Sequence, residues 1–186
     1  MACTRPSWRI TAPLDGFDLI EVWNGPWHSD VPWQADNEAA LATWSRDPAA
    51  RPAIGSSDIH LAGQLGAAHT VVRADELTTE AILTALTAGR SWITDAITTE
   101  LTFEARRGSH VARIGDRLPP TPSSVELLIQ VHGVPGATIS VHTERGEVHE
   151  TTEPTARLSM AAGLARVEVR HPDGTMAALT NPIFLG

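Results

Sequence analysis

The chain has 186 residues, of which 42% are hydrophobic, and a formal net charge of −8 from 22 acidic and 14 basic side chains. This composition is ordinary for a packed soluble protein of one domain or two small ones, and it excludes disordered and fibrous chains. Every basic residue is an arginine. Because nucleic-acid and membrane-surface binders need a basic face, we expect neither a nucleic acid nor a membrane as a partner.

The first half of the chain predicts a βαβ unit. Residues 17–23 are rich in branched and aromatic side chains and predict a strand that ends in a turn. A helix follows, capped by Asp36 or Asn37 and running to about Arg46. Residues 52–55 predict the second strand. In such a unit the two strands are parallel, so their carboxyl ends lie at the same edge of the sheet.

Asp58 and His60 follow the second predicted strand directly. A carboxylate oxygen and a neutral imidazole nitrogen both bind divalent cations, and this pair suits zinc, manganese and iron alike. The tripeptide alone is weak evidence, since the composition gives roughly 0.4 chance matches. Parallel sheets, however, place their chemistry just beyond the carboxyl ends of strands. The position therefore predicts a metal site that includes Asp58 and His60.

Further along the chain, residues 69–74 predict a short strand and residues 75–89 a helix. Thr78 or Thr79 can cap this helix, and Gly89 suits its left-handed carboxyl cap. The helix has an apolar stripe that we expect to be buried. Its members are Ile82, Leu83 and Leu86.

Four segments of the sequence carry a family resemblance. They are Asp18-Leu-Ile-Glu-Val-Trp-Asn-Gly25, Ile54-Gly-Ser-Ser-Asp-Ile-His60, His69-Thr-Val-Val-Arg73 and the ending Asn181-Pro-Ile-Phe-Leu185. In this order they resemble the closing part of the PHP-type metallohydrolases, a superfamily of metal-dependent phosphoesterases, and most of all the members with a β-domain after the barrel. The resemblance implies a distorted (β/α) barrel whose carboxyl face holds two or three metal ions. It also implies that Asp58 and His60 are metal ligands and that a small phosphate ester is the substrate.

Three further residues are candidates for substrate binding. Asn24 lies at the end of the first predicted strand. His28 lies in a loop with Trp27 and Trp33, and loop aromatics often line pockets, although these tryptophans can equally cover the helix that follows. His69 lies at a strand entrance where the family implies a substrate-facing residue. The alternative is that His69 is simply a polar residue at the edge of a sheet.

The chain departs from the family pattern in its upstream motifs. It has no His-x-His, and no histidine precedes His28. We interpret the chain as the carboxyl-terminal part of a PHP-type protein with an incomplete active site. The alternatives are an active metal-dependent hydrolase whose site is completed by a partner chain or across an oligomer, a non-catalytic binding or oligomerisation module built on the β-domain, or a fragment with exposed barrel edges. Exposed edges lead us to expect a homo-oligomer.

Near Ile97 the pattern changes to short alternating runs separated by Gly and Pro turns. The runs are Glu100–Ala105, Val125–Val131, Ala137–Thr143, Ala156–Met160 and Ala165–Arg170. They predict an immunoglobulin-like β-sandwich over residues 98–186, after an α/β segment over residues 1–97. The predicted fold is thus α/β followed by all-β, an incomplete PHP-type (β/α) barrel segment plus a sandwich. We expect the polar residues of each strand, and the five histidines of this half, to face solvent.

Two features concern the cellular compartment. Cys3 is the only cysteine, so the chain forms neither an internal disulfide nor a cysteine-rich zinc site. The first thirty residues lack an apolar run of signal-peptide length, and no stretch approaches the roughly 18 to 20 apolar residues of a membrane span. We predict a cytoplasmic protein. An export signal upstream of Met1 would reverse that prediction.

Overall fold

The computed structural model describes residues 16–28, 36–47 and 49–186. Over these residues the protein is mostly β-sheet, with two short helices. Neither helix is long and apolar enough to cross a membrane. Residues 1–15 and the loop position Trp33 lie outside the described residues.

The predicted βαβ unit is present. Strands β1 (Ile20–Asn24) and β2 (Ala53–Ser56) pair in parallel, and helix α1 (Asn37–Trp44) connects them. Asp36 is the N-cap, and its side chain accepts a hydrogen bond from the backbone N–H of Ala39 at 3.1 Å. This bond satisfies one of the free donors at the start of the helix. The two strands form a sheet of their own, so a barrel is not confirmed.

Strands β3 (His69–Val72) and β4 (Ser91–Thr94) form an antiparallel pair connected by helix α2 (Thr79–Thr87). Thr78 caps α2, and Gly89 adopts a φ of +70° just after the helix, as predicted. The predicted apolar stripe of α2 is only partly covered, with Ile82 and Leu86 half-buried. Ala85 is the one buried residue of the helix and Leu83 is 55% exposed. The reason is that α2 packs lightly, touching mainly β3.

Nine strands follow residue 97 in the described chain. They are β5 (Glu100–Arg107), β6 (His110–Arg113), β7 (Val125–His132), β8 (Thr138–Thr143), β9 (Gly146–Thr151), β10 (Thr155–Met160), β11 (Leu164–Arg170), β12 (Met176–Thr180) and β13 (Ile183–Phe184). The smaller sheet has the order β10-β7-β5-β6. The larger sheet has the order β3-β4-β12-β11-β8-β9, and β13 pairs with β11. The prediction of a strand-rich second half is therefore confirmed.

Both sheets contribute to one apolar core. Leu127 and Ile129 come from the smaller sheet, whereas Val141 and Val167 come from the larger one, and all four are buried in the same cluster. Because strand residues alternate between faces, these side chains define the inner face of each sheet. The immunoglobulin-like topology stays a prediction.

The larger sheet takes strands from both sides of residue 97. Strand β4 pairs with β12 in the register Ile93 to Leu179 and Thr94 to Ala178. The α/β segment and the β-rich segment therefore share one sheet. The division into two domains stays a prediction.

Helix α1 covers part of the outer face of the larger sheet at β11. Arg166 and Glu168 lie on this face, are 7% and 5% exposed, and form an ion pair. Arg166 also donates to Ser45 Oγ at 2.9 Å, and its guanidinium lies 5.1 Å from the ring centroid of Trp44. The prediction that the polar side of this strand faces solvent is wrong. The helix covers it, and the buried charges are stable because they are paired.

Candidate metal site

The edge at which β1 and β2 end collects polar side chains. The register of the parallel pair places Asn24 beside Ser56, and Asp58 and His60 follow within four residues. Ser56 Oγ donates to Glu21 Oε1 at 2.6 Å, and Asn24 Nδ2 donates to Glu21 Oε2 at 3.2 Å. Sequence reasoning missed Glu21. The signal was available, since Glu21 alternates with buried neighbours on a strand that ends at the same edge.

Asp58 and His60 lie side by side at this edge. The Nε2 atom of His60 is 3.2 Å from the Oδ1 atom of Asp58. Both side chains reach solvent, with 54% of His60 and 34% of Asp58 exposed. The structure thus brings the two predicted ligands together at an accessible surface. Their role as ligands stays a prediction.

The loop that carries the pair is held by its own side chains. Ser57 Oγ accepts a hydrogen bond from the Gly66 N–H at 2.9 Å, and Gln64 Oε1 accepts one from the His60 N–H at 2.8 Å. Asp58 has a φ of +40°, which is uncommon outside glycine. Such backbone strain persists where the surroundings enforce it, and it concentrates at functional sites.

The spacing of the pair fits a shared cation. Two ligands of a tetrahedral zinc ion, each about 2.0 to 2.1 Å from the metal, stand about 3.3 Å apart. The observed 3.2 Å agrees with that separation, and it is equally the distance of a direct ion pair between the two side chains. Within residues 16–28, 36–47 and 49–186, no group of three or more His, Cys, Asp or Glu is arranged to hold a metal. Asp58 and His60 therefore fit half of a tetrahedral ligand set, and the other positions need other donors.

Asn24 is the last residue of β1, and its backbone anchors the turn that follows, while its substrate role stays a prediction. Its backbone N–H donates to Asn37 Oδ1 at 2.9 Å, and Asn37 Nδ2 donates back to Asn24 O at 3.2 Å. Asn37 is 1% exposed and also donates to the carbonyls of Pro26 and Trp27. One buried amide thus closes the loop onto the start of α1. The side chain of Asn24 remains at the site edge, where it contacts Glu21.

His28 and His69 have no hydrogen bond or ion pair with Asp58 or His60 in the described part of the chain, and their substrate role stays a prediction. His28 is exposed. His69 is the first residue of β3, and its buried Nδ1 has no hydrogen-bond partner among the described residues. Trp27, the residue before His28, is 5% exposed and packs edge-to-face on Trp23 with ring centroids 5.0 Å apart. Trp27 therefore covers the core.

Together these features define a β-rich protein with an exposed Asp-x-His pair just beyond a parallel βαβ unit. A family model described as PHP-associated matches residues 49–91. The matched segment runs from just before β2, through the loop with Asp58 and His60, to the start of β4. This match supports the PHP-associated family relationship that the sequence resemblance predicted. No curated protein and no solved structure matches the chain.

Proposed function

We propose that this protein contributes Asp58 and His60 to the metal centre of a PHP-like, metal-dependent phosphoesterase. The observation that carries the proposal is the 3.2 Å approach of the two donor atoms. It occurs inside the PHP-associated segment and beyond the carboxyl end of a parallel strand. The remaining ligands come from residues outside this pair or from a second chain.

The chain's own residues have defined roles in this proposal. Asp58 presents a hard carboxylate oxygen, and His60 presents the Nε2 of a neutral imidazole. Gln64 holds the backbone of His60 in place. A bound zinc, manganese or iron ion supplies the Lewis acidity that lowers the pKa of a water and offsets phosphoryl charge. Glu21, held by Ser56, keeps a second carboxylate at the same edge.

Metal titration tests the ligand assignment. Zinc and manganese binding is measured by calorimetry on the native chain and on Asp58→Asn, His60→Gln and the control His110→Gln, which alters an exposed histidine of β6. We expect weak binding that falls at least about tenfold in the first two variants, because each removes one ligand of an incomplete set. Equal metal binding by all four proteins would contradict the assignment of Asp58 and His60 as ligands.

Hydrolysis of bis(p-nitrophenyl) phosphate tests the activity separately. The rate is measured with and without each metal over a range of protein concentrations. Metal-dependent turnover that is lost in Asp58→Asn supports a phosphoesterase. Metal binding without turnover at any protein concentration would retain the metal site and reject the activity.

A second candidate function is a non-catalytic binding or oligomerisation module, with the β-rich part as its working surface. Three apolar side chains in loops of residues 1–97, outside the β-rich part, favour oligomerisation, since Leu65, Leu77 and Ile97 are 83%, 96% and 91% exposed. Exposed apolar groups favour contact with a partner or a second copy. Sedimentation velocity over a concentration series tests self-association. A monomer at every concentration would argue against the homo-oligomer.

A further inference from the structure

A cleft of about 350 Å³ opens between the two sheets, where the β3–β4 pair meets β5 and β6. Its size falls in the range of small-molecule sites. None of its lining residues belongs to the loop with Asp58 and His60. The charged residues that line it are Arg73, Arg90, Arg113 and Glu104.

One wall of the cleft is apolar. Trp92 and Leu101 are partly buried hydrophobic side chains that pack on the main core and line the cleft. Phe103 lines it as well and is 2% exposed. A few polar groups set against aromatic and aliphatic walls are typical of sites for small organic ligands.

The three arginines differ in how many of their side-chain N–H groups are hydrogen-bonded. Arg73 donates to Asp116 Oδ1 at 2.8 Å and to the Ile114 carbonyl at 3.0 Å, so it is held in place. The side chain of Arg90 makes no hydrogen bond with any described residue, and its buried Nε lies 3.5 Å from Asp116 Oδ1. Arginine has five N–H donors, and a buried donor without a partner is costly. The guanidinium of Arg90 is therefore held only by ion pairs, with Asp116 and with Asp75 at 3.9 Å, and it makes no hydrogen bond to the described residues that line the cleft.

Arg113 is the second arginine whose side chain has N–H groups available to a ligand. Its Nε lies 3.2 Å from Glu104 Oε1, and its side chain is 60% exposed. Glu104 is already engaged by Arg106 at 2.7 Å. The carboxylate of Glu104 therefore does not hydrogen-bond to the remaining N–H groups of Arg113. Three arginines and one glutamate line the cleft, and the Asp116 carboxylate beside Arg73 and Arg90 offsets part of their positive charge.

We propose that this cleft binds a small organic anion. Its phosphate or carboxylate group is held by Arg90 and Arg113, and its apolar body packs on Trp92 and Leu101. Guanidinium matches both oxyanions through paired hydrogen bonds. The anion meets the exposed end of the Arg90 side chain, which is 37% exposed. This inference does not rest on the proposed phosphoesterase function.

Calorimetry in metal-free buffer tests the proposal with four probes. They are phenyl phosphate, phenylacetate, inorganic phosphate and the uncharged benzyl alcohol. We expect phenyl phosphate or phenylacetate to bind with a Kd on the order of 1 mM or tighter. The stronger of the two identifies the oxyanion. Inorganic phosphate and benzyl alcohol should bind at least about tenfold more weakly, because each lacks one half of the interaction.

Variants locate the site. Arg90→Gln and Arg113→Gln should each weaken the better probe by about tenfold or more. Arg157→Gln is the matched control, because Arg157 is 65% exposed and does not line the cleft. Circular dichroism checks folding, and Arg113→Gln decides the matter if Arg90→Gln unfolds. No binding by either aromatic anion would overturn the proposal, as would equal weakening by Arg157→Gln.

Discussion

Asn181 hydrogen-bonds to both backbone groups of Ala53. Its Oδ1 accepts from the Ala53 N–H at 2.6 Å, and its Nδ2 donates to the Ala53 carbonyl at 3.0 Å. The same Nδ2 lies 3.0 Å from the Ser91 carbonyl. Asn181 is 1% exposed. It therefore joins β2 to β4 at a place where β2 has no hydrogen-bonded strand on that side among the described strands.

The first prediction concerns this amide. Asn181→Ala should lower the free energy of unfolding by about 3 kcal/mol or more, because it leaves buried backbone donors and acceptors unpaired at about 1–3 kcal/mol each. Urea denaturation measures the change. Thr121→Ala, which alters an exposed hydroxyl, is the control and should change stability by under about 0.5 kcal/mol. A loss of under about 1 kcal/mol in Asn181→Ala would contradict the role of the bridge.

The second prediction concerns the buried ion pair beneath α1. Glu168→Ala leaves the guanidinium of Arg166 buried without its closest carboxylate, so it should cost about 3 kcal/mol or more. Glu126→Ala is the control, because Glu126 pairs with Arg157 at an exposed site and should cost under about 1 kcal/mol. Equal losses in thermal or urea unfolding would refute a special role for the buried pair.

The third prediction is a pH dependence from His142. Its side chain is 16% exposed, so the prediction that it faces solvent is wrong. Burial lowers the pKa of His142 below its usual 6.5, although Glu168 at 3.4 Å and Glu147 at 4.0 Å partly oppose the shift. The unfolded chain therefore binds more protons than the folded one below about pH 6.5. The contribution of neutral His142 to the free energy of unfolding is therefore fully present above about pH 6.5. It is lost as the pH drops from there toward the lowered pKa.

Thermal unfolding between about pH 7.5 and pH 5 measures this effect. His142→Gln should flatten the fall in Tm over that range, whereas His132→Gln, at an exposed position, should leave the slope unchanged. Carboxylates with lowered pKa values change the stability only at more acidic pH. Glu104 is one of them, since hydrogen bonds from Arg106 hold its pKa below 4.5. An unchanged slope in His142→Gln would refute the assignment.

The fourth prediction separates strain from function at Asp58. Asp58 and Ala50 are the non-glycine residues with positive φ in the described chain, at +40° and +47°. Replacement by glycine relieves about 1 kcal/mol of strain, partly offset by the entropy of the unfolded chain. Asp58→Gly should therefore match or exceed native stability while abolishing metal binding. Ala50→Gly should match its stability effect and keep binding. Metal binding by Asp58→Gly would reject Asp58 as a ligand.

The fifth prediction concerns the close approach of two glycines. A Cβ on Gly115, which has a φ of +82°, would lie 2.5 Å from the carbonyl carbon of Gly89. Gly115→Ala should cost about 2–4 kcal/mol, from strain and overpacking together. Gly108→Ala has the strain without a neighbour within 4 Å and should cost about 1 kcal/mol. Similar melting temperatures for the two variants would contradict this packing.

Much of the local structure was predictable because its causes lie within a few residues. Asp36 and Thr78 cap their helices by bonds to residues three positions ahead, and alternation located strands such as β7. Strand β9 is mostly polar and exposed at the sheet edge, so alternation indicates it only weakly. Strand β12, Met-Ala-Ala-Leu-Thr, was missed because its composition does not alternate, yet the sheet buries all five residues.

The sequence by itself determined the βαβ order, the strand-rich second half and the placement of Asp58 and His60 beyond a strand end. These follow from periodicity, caps and turn residues, which act locally. Only the tertiary structure decided that α1 covers Arg166 and Glu168, and that Arg90 and Arg113 line one cleft. A polar residue on a strand looks the same in sequence whether it faces water or a charged partner. The contact that distinguishes the two comes from a segment distant in the sequence, 121 residues away in the case of Arg166 and Ser45.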